Sequence, residues 1–136
     1  MQKHKLTNLP TRDGTATVEF AVCLPVLLVI MTGVIEAGSM IYLKQSLSVA
    51  AYEGVRAAVR PEATSSDVLT ACNQILTARG VNGATVEINP TNFESQPAQT
   101  WVSVRVFATG GNNSVIAGWF YDTLIVDGEA TMMKEY

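Results

Sequence analysis

The 136-residue chain lacks most of what catalysis and cofactor binding draw on. It has a single histidine, His4, close to its start. Imidazole is therefore absent from the body as a general base or a metal ligand. It has only two cysteines, Cys23 in an apolar run and Cys72 in the polar half. If that run crosses a membrane the two cannot meet, and no internal disulfide framework holds the chain. Both fit better as small packing residues than as redox groups. Charge is scarce, at 15% of residues, and its distribution is uneven. Residues 1–14 hold Lys3, Lys5 and Arg12 against Asp13, a net of +2, whereas residues 15–136 hold six Lys/Arg against eleven Asp/Glu, a net of −5. A mildly acidic body without a basic stripe excludes nucleic acid as a partner. No phosphate-cradling glycine loop precedes a helix, and Gly110–Gly111 is a turn signal. Asp122, Asp127 and Glu129 form an acidic patch without the loop spacing of a Ca²⁺ site, and are read as a solvated rim. No nucleophile–base pair is visible, so no enzymatic activity, metal or cofactor is expected.

What the chain does have is one long apolar run. "ATVEFAVCLPVLLVIMTGVI", Ala16 to Ile35, is twenty residues with Glu19 as its only charge. A helix of ~20 residues crosses the ~30 Å hydrocarbon core of a bilayer. The Lys and Arg ahead of it favour a cytoplasmic N-terminus, with the rest of the chain on the far side. A cleaved secretory signal is the alternative, but its core is usually ~7–15 residues, and here an acid abuts the small-residue stretch "EAGS" at Glu36–Ser39.

The helical pattern continues past the run to Arg60, where Pro61 stops it. Met40, Leu43, Leu47, Ala50, Ala51 and Ala58 recur at helical steps on one face, and Lys44, Ser48, Tyr52, Arg56 and Arg60 step by four along another. Thr15–Arg60 as one helix would be ~70 Å long at ~1.5 Å per residue. Pro25 can kink it and is read as a packing feature, and Gly33, Gly38 and Gly54 are expected to serve close packing or local flexibility. "SSDVLTACNQILTARG" (Ser65–Gly80) predicts a second helix capped by Ser66 or Asp67 and closed by Gly80. Ala84–Pro90 and Thr100–Thr109 alternate with period two, as half-buried strands do. "TNFESQPAQ" between them is polar and expected as a loop. Ser114–Val126 is ambiguous between a short helix and an apolar loop presenting Trp119, Phe120 and Tyr121. Gly128–Tyr136 is expected to be a closing strand. The predicted class is α+β. A long helix, half in the membrane and half amphipathic, packs on a small antiparallel sheet with a short second helix. The sheet domain needs that helix to complete its core. The expected organisation is a basic leader (1–14), the long helix (15–60) with its span at about 16–35, and an extracytoplasmic domain (61–136).

One feature of the run is awkward. Glu19 places a carboxylate in an apolar helix, four residues after Thr15 and just after "RDG". Read alone, it sits in the first helical turn near the headgroups, where the helix dipole favours an anion. A short basic leader ending in Gly14, then an apolar helix with an acid at the fifth place counted from Thr15, resembles the class III signal of type IV pilin-like proteins. "RDGTATVEFAVCLPVLL" with "GVIEAGSMIYLKQSLSVAAYEGVRAA" is similar more specifically to the TadE-like pseudopilins of tight-adherence pilus systems. The resemblance covers Arg12–Ala58, with a fainter echo in "EATMMKEY" at the end.

The resemblance implies a minor pseudopilin, made as a bacterial inner-membrane precursor and cut by a prepilin peptidase between Gly14 and Thr15. Thr15 would carry the new amine. The Glu19 carboxylate would pair with a neighbouring subunit's amine, with Phe20 beside it in the assembling segment. Implied partners are the peptidase, other pilin or pseudopilin subunits, the inner-membrane assembly machinery and membrane lipid. Thr15 departs from the Phe or Met of many type IV pilins, and this leaves N-methylation open. The alternative is an uncleaved single-span protein with an extracytoplasmic binding domain. Glu36, at the outer edge of the span, is read as interfacial and has no assigned role.

Overall fold

The computed structural model describes residues 12–116 and 120–135. Most of the basic leader, together with Trp119 and Tyr136, lies outside the described residues. The element order is α1 (Arg12–Ala58), α2 (Ser65–Ala78), β1 (Thr85–Asn89), β2 (Trp101–Thr109) and β3 (Ile125–Met133), with single 3₁₀ turns at Phe93–Ser95 and Gly111–Asn113. The class is α+β, as expected. The chain divides into two units, Met1–Gly33 and Val34–Tyr136.

The described part of the first unit is helical from Arg12 and runs unbroken through Pro25. Its apolar side chains, including Val18, Val22, Val26 and Ile30, are exposed. By length and composition this helix can cross a membrane, and none of its apolar window is buried within the protein.

The second unit builds a core of its own. The part of α1 inside it places Met40, Leu43, Leu47, Ala50, Ala51, Val55 and Ala58 in the interior. These are the expected stripe with Val55 added, at the three- and four-residue steps that put side chains on one helical face. Burying a leucine such as Leu43 or Leu47 contributes roughly 1.5–3 kcal/mol. Against them lies a three-stranded antiparallel sheet in the order β1-β2-β3. On β2, Val102, Val104, Val106 and Ala108 are buried while Trp101, Arg105 and Thr109 are exposed, the period-two alternation of a half-buried strand.

Two glycines set how closely the layers approach. At Gly128 of β3 an added Cβ would fall on the backbone of Leu47 and Ser48, so β3 lies directly against α1. At Gly54 of α1 it would fall on the Cys72 sulfur of α2 and reach Val104 of β2 at 3.1 Å. The Cys72 thiol donates to the Ala50 carbonyl at 3.4 Å. Among the described residues Gly33 and Gly38 have no such neighbour within 4 Å; of the three helical glycines expected to serve packing, Gly54 is seen to do so.

Local details differ from the sequence expectations in several places. Helix α1 ends at Ala58 and gives way to a turn before Pro61. The N-cap of α2 is Thr64, not Ser66 or Asp67. Its hydroxyl accepts the Asp67 N–H at 3.3 Å, and the Asp67 carboxylate accepts the Thr64 N–H at 2.9 Å. A threonine followed three residues later by an acid is a capping box, with each side chain satisfying the other's orphan donor. The polar 91–99 segment contains a 3₁₀ turn with Phe93 wholly buried. Strand β3 begins at Ile125, because Thr109 pairs with Ile125 and Ala108 with Val126, extending the ladder three residues before Gly128.

Candidate functional site

The residues singled out as the processing and assembly segment all lie on the exposed first part of α1. Gly14, Thr15, Glu19 and Phe20 share one helical stretch and are all exposed. Thr15 and Glu19 are four residues apart, one above the other on a single face. A Cβ added at Gly14 would meet nothing within 4 Å. Packing among the described residues therefore does not require glycine there. The Glu19 carboxylate makes no ion pair or hydrogen bond among the described residues. Phe20 is also open, at 61% exposure. Helix α1 begins at Arg12, so the Gly14–Thr15 peptide bond is helical in this state.

The second acid of the helix behaves in the opposite way. Glu36 is wholly buried. Both of its carboxylate oxygens accept the N–H of Phe120 at 3.1 Å, and Oε1 also accepts the N–H of Tyr121 at 3.2 Å. Burying a carboxylate without partners is costly, and charge-assisted bonds from peptide N–H groups offset that cost. Glu36 thus ties α1 to the turn at residues 120–123, the part of the ambiguous Ser114–Val126 segment that precedes β3. Phe120 is exposed and Tyr121 half-buried. Reading the sequence missed this site. A signal was present, because Glu36 stands four residues before Met40 and seven before Leu43, in line with the buried stripe. An acid on that stripe must find partners.

Within the acidic rim, Asp127 is ion-paired. Asp127 accepts from Arg105 Nε at 3.2 Å and lies 3.7 Å from the Lys44 ammonium, which also donates to its backbone carbonyl. Arg105 reaches Glu87 at 4.0 Å and lies over the Phe107 ring. Exposed pairs of this kind contribute little individually. At the start of α2, Glu94 accepts the Ser65 N–H at 2.6 Å and the Ser65 hydroxyl at 2.7 Å. These bonds hold the Glu94 carboxyl below its ordinary range. The Thr64 hydroxyl and N–H do the same for Asp67. Burial pushes the Cys72 thiol up to about 11, and both Cys23 and Cys72 are free. Among the described residues no group of three His, Cys, Asp or Glu could hold a metal ion.

Searches of curated proteins and of solved structures returned no match. A family model did match. It begins at Gly14 and ends at Arg56, so it takes in the exposed helix, Glu36 and most of the buried stripe. That match points to tight-adherence pilus assembly, to association with its components, and to the membrane. Over residues 14–56 the chain matches the family described as TadE-like protein, which bears out the resemblance read from its sequence.

Proposed function

We propose that the protein is a minor pseudopilin of a tight-adherence pilus, made as a membrane precursor and cut between Gly14 and Thr15. The observation that carries this reading is the pairing of an exposed Gly14 with an exposed Glu19, neither with a partner among the described residues, at the head of a TadE-like segment. Hydrolysis of that peptide bond would add water, leaving a carboxylate on Gly14 and an amine on Thr15. The bond lies in the first helical turn, so a peptidase would have to unwind that turn before cutting. Glycine is about 1 kcal/mol worse than alanine in a helix, and this eases the unwinding. It also lets the backbone enter a narrow cleft in an extended form.

Glu19 would then act between subunits. A charged side chain at mid-span costs roughly 2.5–3.5 kcal/mol on insertion scales, and less toward the interface. A neighbour's Thr15 amine offsets that cost only when two subunits are in register. The same energy therefore favours assembly and selects its register, with Phe20 packing beside the pair. The expected topology is a cytoplasmic leader, a span at about 16–35 and an extracytoplasmic domain. The account gives the chain a role in assembly and none in catalysis.

Continuity of α1 through Gly14–Thr15 favours a second reading, an uncleaved single-span protein with an extracytoplasmic binding domain. Two substitutions separate the readings in cells that carry the pilus system. Gly14→Ala should leave the precursor uncut. Glu19→Ala should be cut normally but support few or no pili. Normal piliation by Glu19→Ala would reject the assembly role.

A further inference from the structure

We propose that the Phe120–Tyr121 turn is a lipid anchor, latched by Glu36 so that the Phe120 ring enters the outer headgroup boundary of the bilayer. This rests on the reading of residues 16–35 as a membrane span. That span ends at Ile35, one residue before Glu36. The Cα–Cβ bond of a helical residue tilts toward the helix N-terminus, so the Glu36 side chain leans back toward the span. The Phe120 N–H lies 3.1 Å from both Glu36 oxygens. The turn is therefore held by Glu36, the residue that follows the span in sequence.

The chemistry at this level suits the lipid boundary. Phe120 is 54% exposed, and nearby on the chain Leu124 and Ile125 are exposed as well. In water such a cluster is a cost. At the interface between acyl chains and headgroups, apolar and aromatic side chains are favoured. The latch also serves Glu36. A carboxylate at the edge of the hydrocarbon needs donors, and two peptide N–H groups supply them while the turn covers it. A neighbouring subunit is the other conceivable occupant of this surface. Lipid is favoured because the boundary is present wherever the span is inserted, before any subunit arrives.

The test uses the full chain in phosphatidylethanolamine–phosphatidylglycerol vesicles, in a Cys23→Ala background. Cys72 is buried and stays unlabelled. Single cysteines introduced by Phe120→Cys, Glu87→Cys and Val26→Cys each carry an environment-sensitive fluorophore. Lipids spin-labelled at a shallow or a deep acyl position act as quenchers. The probe at 120 should be quenched several-fold more by shallow label than the probe at 87. Adding Glu36→Ala should bring it to the level at 87 and leave the probe at 26 unchanged. Equal quenching at 120 and 87, with the probe at 26 still quenched by deep label, overturns the anchor alone. An unquenched probe at 26 overturns the span and the anchor with it. Full quenching at 120 in Glu36→Ala removes Glu36 as the latch.

Discussion

Glu36 and Phe120 are 84 residues apart in sequence, and two oxygens of one share the backbone N–H of the other at 3.1 Å. The contact joins α1 to the turn that precedes β3. It is a bond to peptide groups, so its strength does not depend on which side chains the turn carries.

Removing the carboxylate should loosen this junction. Glu36→Ala would remove the acceptor of the Phe120 and Tyr121 N–H groups, and hydrogen bonds to a charged group are worth about 1.5–3 kcal/mol. The expected result is a lower denaturation midpoint for the detergent-solubilised chain and faster amide exchange at residues 120–121. Exchange unchanged at those two amides would contradict the contact.

The close contact of Gly54 on α1 with Cys72 on α2 should reveal itself through compensation. Gly54→Ala places a methyl on the Cys72 sulfur, and overpacking of this kind typically costs about 1–3 kcal/mol. Cys72→Ala removes the obstructing atom. The double variant should be more stable than Gly54→Ala alone, as read by chemical denaturation. Gly128→Ala should admit no such rescue, because there the obstruction is the α1 backbone at Leu47–Ser48.

Acid should weaken the start of α2. The folded-state values of Asp67 and Glu94 lie below the ordinary 3.8 and 4.5. A depressed carboxyl stabilises the fold above its ordinary value, and that contribution is lost as pH falls through the folded value. Stability should therefore decline below about pH 4, and the decline should be shallower in Thr64→Ala and Ser65→Ala. A denaturation series between pH 2 and pH 7 checks the sign.

Cys72 should behave in the opposite sense. Its thiol is raised from 9.0 to about 11 by burial, so the folded state keeps it neutral where the unfolded chain ionises. Its contribution is complete below pH 9 and is lost as pH rises toward 11. A maleimide reagent at neutral pH should leave Cys72 unmodified until the domain unfolds; rapid labelling of the folded chain would contradict its burial.

Much of the fold was legible because it rests on periodicity. The Met40–Ala58 stripe and the alternating valines of β2 follow from which side chains must leave water, and each lies in one continuous stretch. The parts that escaped depend on partners distant in sequence. Phe93 is buried although its neighbours are polar, because a 3₁₀ turn directs it inward while Lys134 bonds the carbonyls of Phe93 and Gln96. The true start of β3 depends on pairing with Ala108 and Thr109. Glu36 stood on a legible stripe, but its acceptor role needed a turn 84 residues away. The Gly14–Glu19 segment is the reverse case. Its motif is plain in the sequence, while Gly14 and Glu19 meet no partner among the described residues that would explain them.

The central claim is the cut after Gly14, and intact mass spectrometry of the protein from native membranes tests it most directly. The account predicts a chain that begins at Thr15, with residues 1–14 absent. A chain of full length, in cells whose prepilin peptidase processes other pilins, would contradict it.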